Sequence, residues 1–330
     1  MLSFYSERAA ALSGHYEELR QLGIPLDTLF DQFITGIPLL RATRRYLAEH
    51  PADVIQTFLQ SNLYTGIASI GLPGQIFYGI RSMINLSVME RLLCRVLDRR
   101  VSGYVGNAQH ATTHFCRQLN CAEHKRHTIY NGIDHARFSH PRPSREVRSE
   151  SGLPELARCL ITVANMHHPQ KGHDDLIQAW IRVAHTRPSD HLVLVGTGNR
   201  MAALQAHIQR AGLEGRTHFL GMRRDVPDLL AACDLYVSPS WVEGFSNAIA
   251  EAILCGLPVV ATRVGGTPEM VEPGEYGSLV EPRQIDELAV ALAKEYPRRT
   301  QENIRRFADR VSLERLGGEY LKMYELSLKG

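Results

Sequence analysis

The chain has 330 residues, of which 44% are hydrophobic and 22% are charged, so it is long enough to bury the cores of two ordinary domains. Its formal net charge of +2 is too small to indicate nucleic acid as a partner, and no recognised nucleic-acid-binding motif occurs. The charge is uneven, because residues 1–150 contain 17 Lys and Arg against 13 Asp and Glu, whereas the remainder contains 20 against 22. This mildly basic first half favours an anionic membrane surface.

Short apolar runs alternate with helical segments along the chain, which is typical of parallel α/β sheets. The predicted strands are Leu2–Tyr5, Val54–Phe58, Gln75–Tyr78, Val101–Val105, Leu160–Ala164, His191–Val195, His218–Leu220, Asp234–Val237 and Pro258–Ala261. The predicted helices include Asp174–His185, Asn199–Ala211 and Asp225–Ala232, with Asp225 as the cap of the last one.

A proline-containing segment at 139–155 is interpreted as a solvated linker. It divides the chain into a first domain at 1–150 and a second domain at 151–311. Residues 312–330 have apolar side chains at helical spacing, which predicts a packed C-terminal helix.

Several features predict a cytoplasmic protein. The six cysteines form no Cys-x-x-Cys pair and no zinc spacing, which favours buried thiols in a reducing cytosol. The first seven residues lack the charged region and apolar core of a signal peptide. Residues 54–80 carry no charge and are long enough to cross a bilayer. However, they contain four Gln and Asn side chains and break at Gly71-Leu-Pro-Gly74, so we interpret them as a buried strand–helix–strand unit.

The segment Trp241-Val-Glu-Gly-Phe-Ser-Asn-Ala-Ile-Ala-Glu251 contains the pattern with the clearest chemical meaning. It follows a predicted strand and opens a helix, with Ser246 as the predicted N-cap. A helix N-terminus offers unpaired N–H groups and a partial positive charge, which together suit an anion. Glu243 in the turn and Glu251 in the helix can each accept hydrogen bonds from ligand hydroxyls. A nucleotide-sugar has this layout, because its diphosphate lies between the sugar hydroxyls and the ribose diol.

Together with segments elsewhere, this pattern resembles family 4 of the retaining glycosyltransferases, which have the GT-B fold. The supporting segments are Ala252–Ala261, Gly265-Gly-Thr-Pro-Glu269, Tyr130-Asn-Gly-Ile-Asp134, Lys171-Gly172, Val195-Gly-Thr-Gly-Asn199 and Phe219-Leu-Gly-Met-Arg-Arg-Asp225. Each is weak alone, but their order and spacing are specific. The resemblance implies two Rossmann-like domains facing each other across a cleft, with the last helix crossing back to the first domain.

The resemblance also implies roles for residues of the second domain. Glu243 holds sugar hydroxyls near the reacting carbon, Glu251 accepts from the ribose diol, and Lys171 neutralises the leaving diphosphate. Relatives have an Arg where this chain has Asn165, so one cation is replaced by an amide. The donor is further met by the backbone of Gly244, Phe245, Ser246 and Asn247, and by Met222 and Arg223 near the base, for which an ordinary strand-end loop is an equal alternative.

In the first domain, Gln60 and Asn62 follow a strand and are predicted to face the acceptor, and Arg81 is a candidate for an acceptor or phosphate contact. The family's opening strand–loop–helix unit has no counterpart here, which puts in doubt whether the chain as written is active. The series Arg91, Arg95 and Arg99 forms a basic stripe, interpreted as a solvated helix face with membrane contact as the lesser alternative.

No metal or cofactor is expected. Gly196-Thr-Gly198 lacks the third glycine of a dinucleotide site, because position 201 is Met. His167, His168 and His173 cluster in sequence, but solvated loop histidines are favoured over a metal site. No Asp-x-Asp occurs to call for the metal of the other transferase fold.

The predicted function is transfer of a hexose-type sugar, with retention, from a nucleoside-diphosphate donor, with UDP favoured, to an acceptor hydroxyl. The acceptor is expected to be a bacterial surface glycan or lipid-linked sugar, with weak salt-reversible membrane contact. The alternatives are a degenerate nucleotide-sugar-binding protein without turnover and a sugar-nucleotide epimerase or phosphorylase on the same fold. An NAD enzyme is disfavoured by the incomplete glycine pattern, and fold alone decides none of these.

Overall fold

The computed structural model describes residues 2–3, 27–28, 35–58, 61–271, 274 and 276–329. Strand β1 (Leu2–Ser3) pairs in parallel with β2 (Asp27–Thr28). The rest of the strand predicted at Leu2–Tyr5 lies outside the described residues.

A four-stranded parallel sheet forms the centre of the first domain, in the order β3-β4-β5-β6. Its strands are β3 (Val54–Phe58), β4 (Gln75–Ile80), β5 (Val101–Gly106) and β6 (Arg126–Thr128). The helices of this domain are α1 (Ile37–Glu49), α2 (Ser61–Ala68), α3 (Val88–Leu97) and α4 (Gln109–Leu119). The uncharged stretch at 54–80 folds as β3, α2 and β4, which confirms the predicted strand–helix–strand unit. Among the described residues, no helix is long and apolar enough to cross a membrane.

A six-stranded parallel sheet forms the second domain, in the order β12-β11-β10-β7-β8-β9. Its strands are β7 (Cys159–Val163), β8 (His191–Val195), β9 (Thr217–Gly221), β10 (Leu235–Ser238), β11 (Val259–Thr262) and β12 (Gly277–Val280). Because the chain order reverses between β7 and β10, the carboxyl ends of these strands flank a crevice where such sheets bind ligands.

Helices cover both faces of this second sheet. They are α5 (Ser144–Glu150), α6 (His173–Thr186), α7 (Met201–Arg210), α8 (Val226–Ala232), α9 (Asn247–Leu254), α10 (Thr267–Met270), α11 (Ile285–Ala293) and α12 (Gln301–Arg310). Two apolar clusters result, one on each face, and Ile161 and Val193 in one alternate with Leu160 and Leu192 in the other. This alternation is what a strand buried on both faces requires.

Two local predictions were wrong. The predicted solvated linker at 139–155 contains α5, whose Val147 is fully buried in the core of the second domain. Arg148 in the same helix is also buried and donates to Asp234 at 2.9 Å, so burial and pairing outweigh the polar composition of the segment. Asp225 precedes α8 but makes no side-chain cap bond, because Arg223 binds both of its carboxylate oxygens.

The C-terminal helix α13 (Leu313–Lys329) lies against the sheet of the first domain. Met323 packs in one cluster with Phe77, Val105 and Ile129. The Tyr324 ring lies 5.2 Å from that of Phe77, and its hydroxyl donates to Gln56 Oε1 at 3.0 Å. The helix therefore contributes side chains to the first domain, although it follows the second in sequence.

All six cysteines are free thiols. Five are buried, as predicted, and Cys255 is half-buried.

Candidate active site

The turn that contains Glu243 (residues 239–246) connects the carboxyl end of β10 to the N-terminus of α9, at the crevice of the second sheet. Ser246 caps this helix, because its side chain accepts from the N–H of Ile249 at 3.5 Å, which confirms the predicted N-cap. The first turn of α9 therefore presents further N–H groups and the positive end of the helix dipole toward the cleft. The local electrostatics favour an anion there.

A cavity of about 510 Å³ lies between the two domains at this point, within the size range of ligand pockets. Seven predicted site residues line it, namely Arg81, Asn165, Lys171, Glu243, Phe245, Ser246 and Asn247. The first domain contributes Arg81, Asn107 and Asn131 to the wall. The structure thus brings the predicted donor turn and one predicted acceptor-side residue into one space.

The two residues predicted to be catalytic contact each other. Lys171 Nζ lies 2.7 Å from Glu243 Oε1, and Ser240 Oγ donates to the same oxygen at 2.8 Å. The Glu243 side chain is 11% exposed, so this pair is partly shielded from water. An anion that bound Lys171 would compete with Glu243 for the ammonium group. Sequence reasoning did not predict this pairing or the role of Ser240.

Glu251 does not line that cavity and lies one turn further along α9. Burial raises the pKa of its carboxyl group, and the nearby Arg137 opposes the rise. Within the described part of the chain, no hydrogen bond or ion pair engages this carboxylate, so its acceptor capacity is available. Tyr236 of β10 also lines the cavity and is buried. Burial raises the pKa of its phenol, and the charges of Glu243 and Glu251 add to the rise.

A chain of hydrogen bonds crosses the cleft floor from one domain to the other. Arg81 Nη1 donates to Asn131 Oδ1 at 2.7 Å, and Asn131 Nδ2 donates to Asn247 Oδ1 at 2.8 Å. Asn247 is the first residue of α9. The chain thus connects the predicted acceptor-side arginine with the donor helix.

Gly244 is required by the contact between domains. A Cβ atom at this position would lie 2.5 Å from the carbonyl oxygen of Arg81 and 3.0 Å from Asn107 Oδ1. The resemblance had implied that the backbone of Gly244 meets the donor, which the missing Cβ atom would permit. In the structure the main chain of the first domain fills it, so the glycine permits close approach of the two domains.

Glu269 forms a second contact between the domains. Its carboxylate accepts from the N–H groups of Gln109 and His110, each at 2.8 Å, and from the Tyr130 hydroxyl at 3.0 Å. Because Ala108 offers no side-chain cap for α4, Glu269 performs that function from the other domain. Sequence reasoning missed this role, and the only signal was a helix start without a polar capping residue.

Several predicted site residues lie elsewhere. Neither Met222 nor Arg223 lines the cavity. Met222 is 80% exposed, and Arg223 is paired with Asp225. Asn62 is buried and bonded to Thr57 and to the Gly79 carbonyl, which makes it part of the packing of the first domain. Gln60 lies outside the described residues.

The histidine cluster is not uniformly solvated as predicted. His167 and His168 are exposed, but His173 begins α6 and is buried. Burial lowers the pKa of His173 to about 4, so this ring is neutral near pH 7.

The family match lies within the second domain. Residues 157–296 match the family described as glycosyl transferases group 1. The chain is 34% identical over 154 residues to N-acetyl-alpha-D-glucosaminyl L-malate synthase of Bacillus anthracis, covering 47% of this chain and 40% of that protein. It is 33% identical over 172 residues to the lipopolysaccharide core biosynthesis mannosyltransferase LpsB of Rhizobium meliloti (strain 1021), covering 50% and 49%. The matched region therefore spans less than half the length of either relative.

The likeness to solved structures extends over nearly the whole chain. Anabaena Alr3699/HepE in complex with UDP aligns with a TM-score of 0.79 at 26% identity, covering 94% of this chain and 89% of that one. The same protein in complex with UDP-glucose aligns with a TM-score of 0.76 at 25% identity, covering 95% and 88%. These alignments confirm the predicted GT-B architecture, and the family match confirms the predicted glycosyltransferase resemblance.

Proposed function

We propose that this chain transfers a sugar from a nucleoside-diphosphate donor to an acceptor hydroxyl. The premise is that the chain belongs, through its second domain, to the group 1 glycosyl transferases. The observation that carries the proposal is the juxtaposition of Lys171, Glu243 and the N-terminus of α9 around one interdomain cavity. Cationic and dipolar groups favour a diphosphate there, and a shielded carboxylate beside them suits sugar hydroxyls.

The reaction is proposed to proceed with retention, on one face of the sugar. The bond between the anomeric carbon and the diphosphate oxygen breaks, and the acceptor oxygen forms its new bond on the same face. The acceptor proton passes to the leaving diphosphate oxygen. Lys171 and the N–H groups of α9 stabilise the negative charge of that leaving group. Glu243 orients the sugar, and no metal or cofactor is assigned a step.

The donor is proposed to be a UDP-sugar of the hexose type. This choice is supported by the Anabaena protein, which was solved with UDP and with UDP-glucose. Glu251 is proposed to accept from the ribose diol, because its carboxylate has no partner in the described part of the chain. The acceptor is proposed to be a bacterial surface glycan or lipid-linked sugar, in keeping with the lipopolysaccharide function named for the Rhizobium relative.

A weak peripheral contact with the cytoplasmic membrane is part of the proposal. Helix α3 exposes an apolar stripe, with Val88, Met89 and Val96 more than 70% exposed and Leu92 53% exposed. Arg95 is exposed as well and falls at the edge of that stripe on a helical wheel, and the exposed Arg99 follows the end of α3. An apolar face bordered by cations suits an anionic lipid surface.

The test is binding and turnover of a donor panel by the purified chain. Calorimetry with UDP, GDP and ADP identifies the nucleotide, and release of UDP from UDP-sugars measures slow donor hydrolysis. We expect UDP to bind best and UDP release to depend on Lys171 and Glu243. Binding without release would favour the degenerate binding protein, and a product with an altered sugar on an intact nucleotide would favour an epimerase. Failure to bind any of the three nucleotides would refute the proposal.

A further inference from the structure

A second cavity, of about 380 Å³, adjoins the first across the Arg81–Asn131–Asn247 hydrogen-bond chain. All three residues line both cavities. The remaining wall comes from Gln56 and Phe58 of β3, from Gly132 in the segment after β6, and from Leu316, Tyr320 and Tyr324 of the C-terminal helix α13. A molecule in this second cavity would therefore lie next to a donor in the first.

The wall from α13 and β3 is aromatic with polar edges. The rings of Tyr320 and Tyr324 have centroids 5.7 Å apart, and the Phe58 ring is 41% exposed. Burial raises the pKa of Tyr324 to about 12 and also raises the pKa of Tyr320, so both phenols are protonated at neutral pH, and Tyr324 donates its proton to Gln56. Apolar ring faces beside hydroxyl and amide groups suit a sugar, which has C–H faces and a polar rim.

Arg81 gives this cavity its charge preference. Its guanidinium donates to the neutral amide of Asn131 and lies 4.7 Å from the centroid of the Phe58 ring. Among the described residues, no carboxylate pairs with it. A half-buried guanidinium without a counter-charge is suited to a bidentate bond with a carboxylate or phosphate group.

We propose that this second cavity is the acceptor subsite and that it takes an acidic sugar, one that bears a carboxylate or a phosphate. The sugar ring packs against Phe58 and Tyr320, and its acidic group binds Arg81. This assignment rests on the proposed transferase function and specifies the acceptor class. It also gives α13 a role in binding, because two of the aromatic residues come from that helix.

The test compares acidic and neutral acceptors that are otherwise matched, p-nitrophenyl glucuronide and p-nitrophenyl glucoside, with glucose 6-phosphate as a phosphate-bearing probe. We expect Arg81→Gln to raise the KM for the acidic acceptors about tenfold or more, because a charged hydrogen bond is lost. The KM for the neutral glucoside and the Kd for UDP should stay within about twofold. Tyr320→Leu should raise the KM for all three acceptors, and Arg81→Lys should restore part of the preference. Lys322→Gln, which removes the same charge from α13 outside the cavity, is the control and should change none of these values.

Arg81 also borders the donor cavity, so its alternative role is to bind the donor phosphates. If Arg81→Gln weakens UDP binding and lowers transfer to acidic and neutral acceptors alike, Arg81 serves the donor phosphates and the assignment is refuted. Equal KM values for acidic and neutral acceptors in the unaltered protein would refute it as well. Saturation-transfer NMR measures acceptor binding without turnover, so it tests the acceptor subsite separately from the transferase function. Arg81-dependent binding of the glucuronide without any turnover would support the subsite and contradict the transferase function.

Discussion

Removing the Glu269 carboxylate should loosen the contact between the two domains. Glu269→Ala deletes the cap of α4, which contributes about 0.5–2 kcal/mol in typical helices, and one bond to the Tyr130 hydroxyl, worth about 0.5–1.5 kcal/mol. Because Glu269 is half-buried, we expect a loss near the middle of the combined range, about 2 kcal/mol. At roughly 2–4 °C per kcal/mol for chains somewhat smaller than this one, the midpoint of thermal unfolding should fall by several degrees.

Differential scanning calorimetry measures this change, and small-angle scattering reports whether the radius of gyration increases. Glu269→Gln retains one oxygen acceptor and should fall between the unaltered protein and Glu269→Ala. Glu281→Ala is the matched control, because that exposed carboxylate pairs only at the surface with Arg263 and should cost less than about 1 kcal/mol. If Glu269→Ala melts together with Glu281→Ala and scatters like the unaltered protein, the carboxylate does not hold the domains together.

Four further outcomes follow from the site geometry. Glu251→Ala should weaken UDP binding by about 1.5–3 kcal/mol. In the unaltered protein, UDP binding should weaken as the pH drops through the raised pKa of Glu251, because the charged carboxylate is the proposed hydrogen-bond acceptor. Equal affinity of the mutant and the unaltered protein in calorimetry would exclude this role. Glu243→Gln should not weaken UDP binding, since it releases Lys171 from its ion pair, and it should slow transfer in a product assay. An unchanged transfer rate would exclude the sugar contact. Asn165→Arg should tighten UDP binding at low salt by adding a cation at the cavity wall, and weaker or unchanged affinity would mean that the position does not face the phosphates. In flotation with anionic vesicles, part of the protein should float at low salt and little at physiological salt. A Leu92→Glu/Val96→Glu variant should float less. No flotation of the unaltered protein at low salt would refute the proposed membrane contact.

The elements were predictable because each depends on a local pattern. Val54–Phe58 and His191–Val195 are apolar runs with clear ends, and the structure has both strands with the predicted bounds. The Ser246 cap was equally local, since the capping side chain lies three residues from the N–H it binds. Asp225 shows the limit of this reasoning, because a neighbouring arginine takes the carboxylate that the helix start was expected to use.

The parts of the site that were missed depend on residues far apart in the sequence. Glu243 meets Lys171 across 72 positions, and Glu269 meets Gln109 across 160, so no short pattern indicates either contact. The spacing of apolar residues predicted that α13 is packed, but it carried no information on which surface receives Tyr320. Asn62 looked like a cleft residue because it is polar and follows a strand, yet its amide completes hydrogen bonds in the interior. Burial of this kind is set by tertiary packing, which outweighs local polarity.

Proton NMR of the turnover of a UDP-α-sugar tests the central claim most directly. The anomeric signal of the product identifies both transfer and stereochemistry in one experiment, and UDP appears as the donor signal declines. We predict an α-configured product with the unaltered protein and slower formation of that product in Glu243→Gln. A donor signal that stays unchanged while UDP binds, or a β-configured product, would contradict the account.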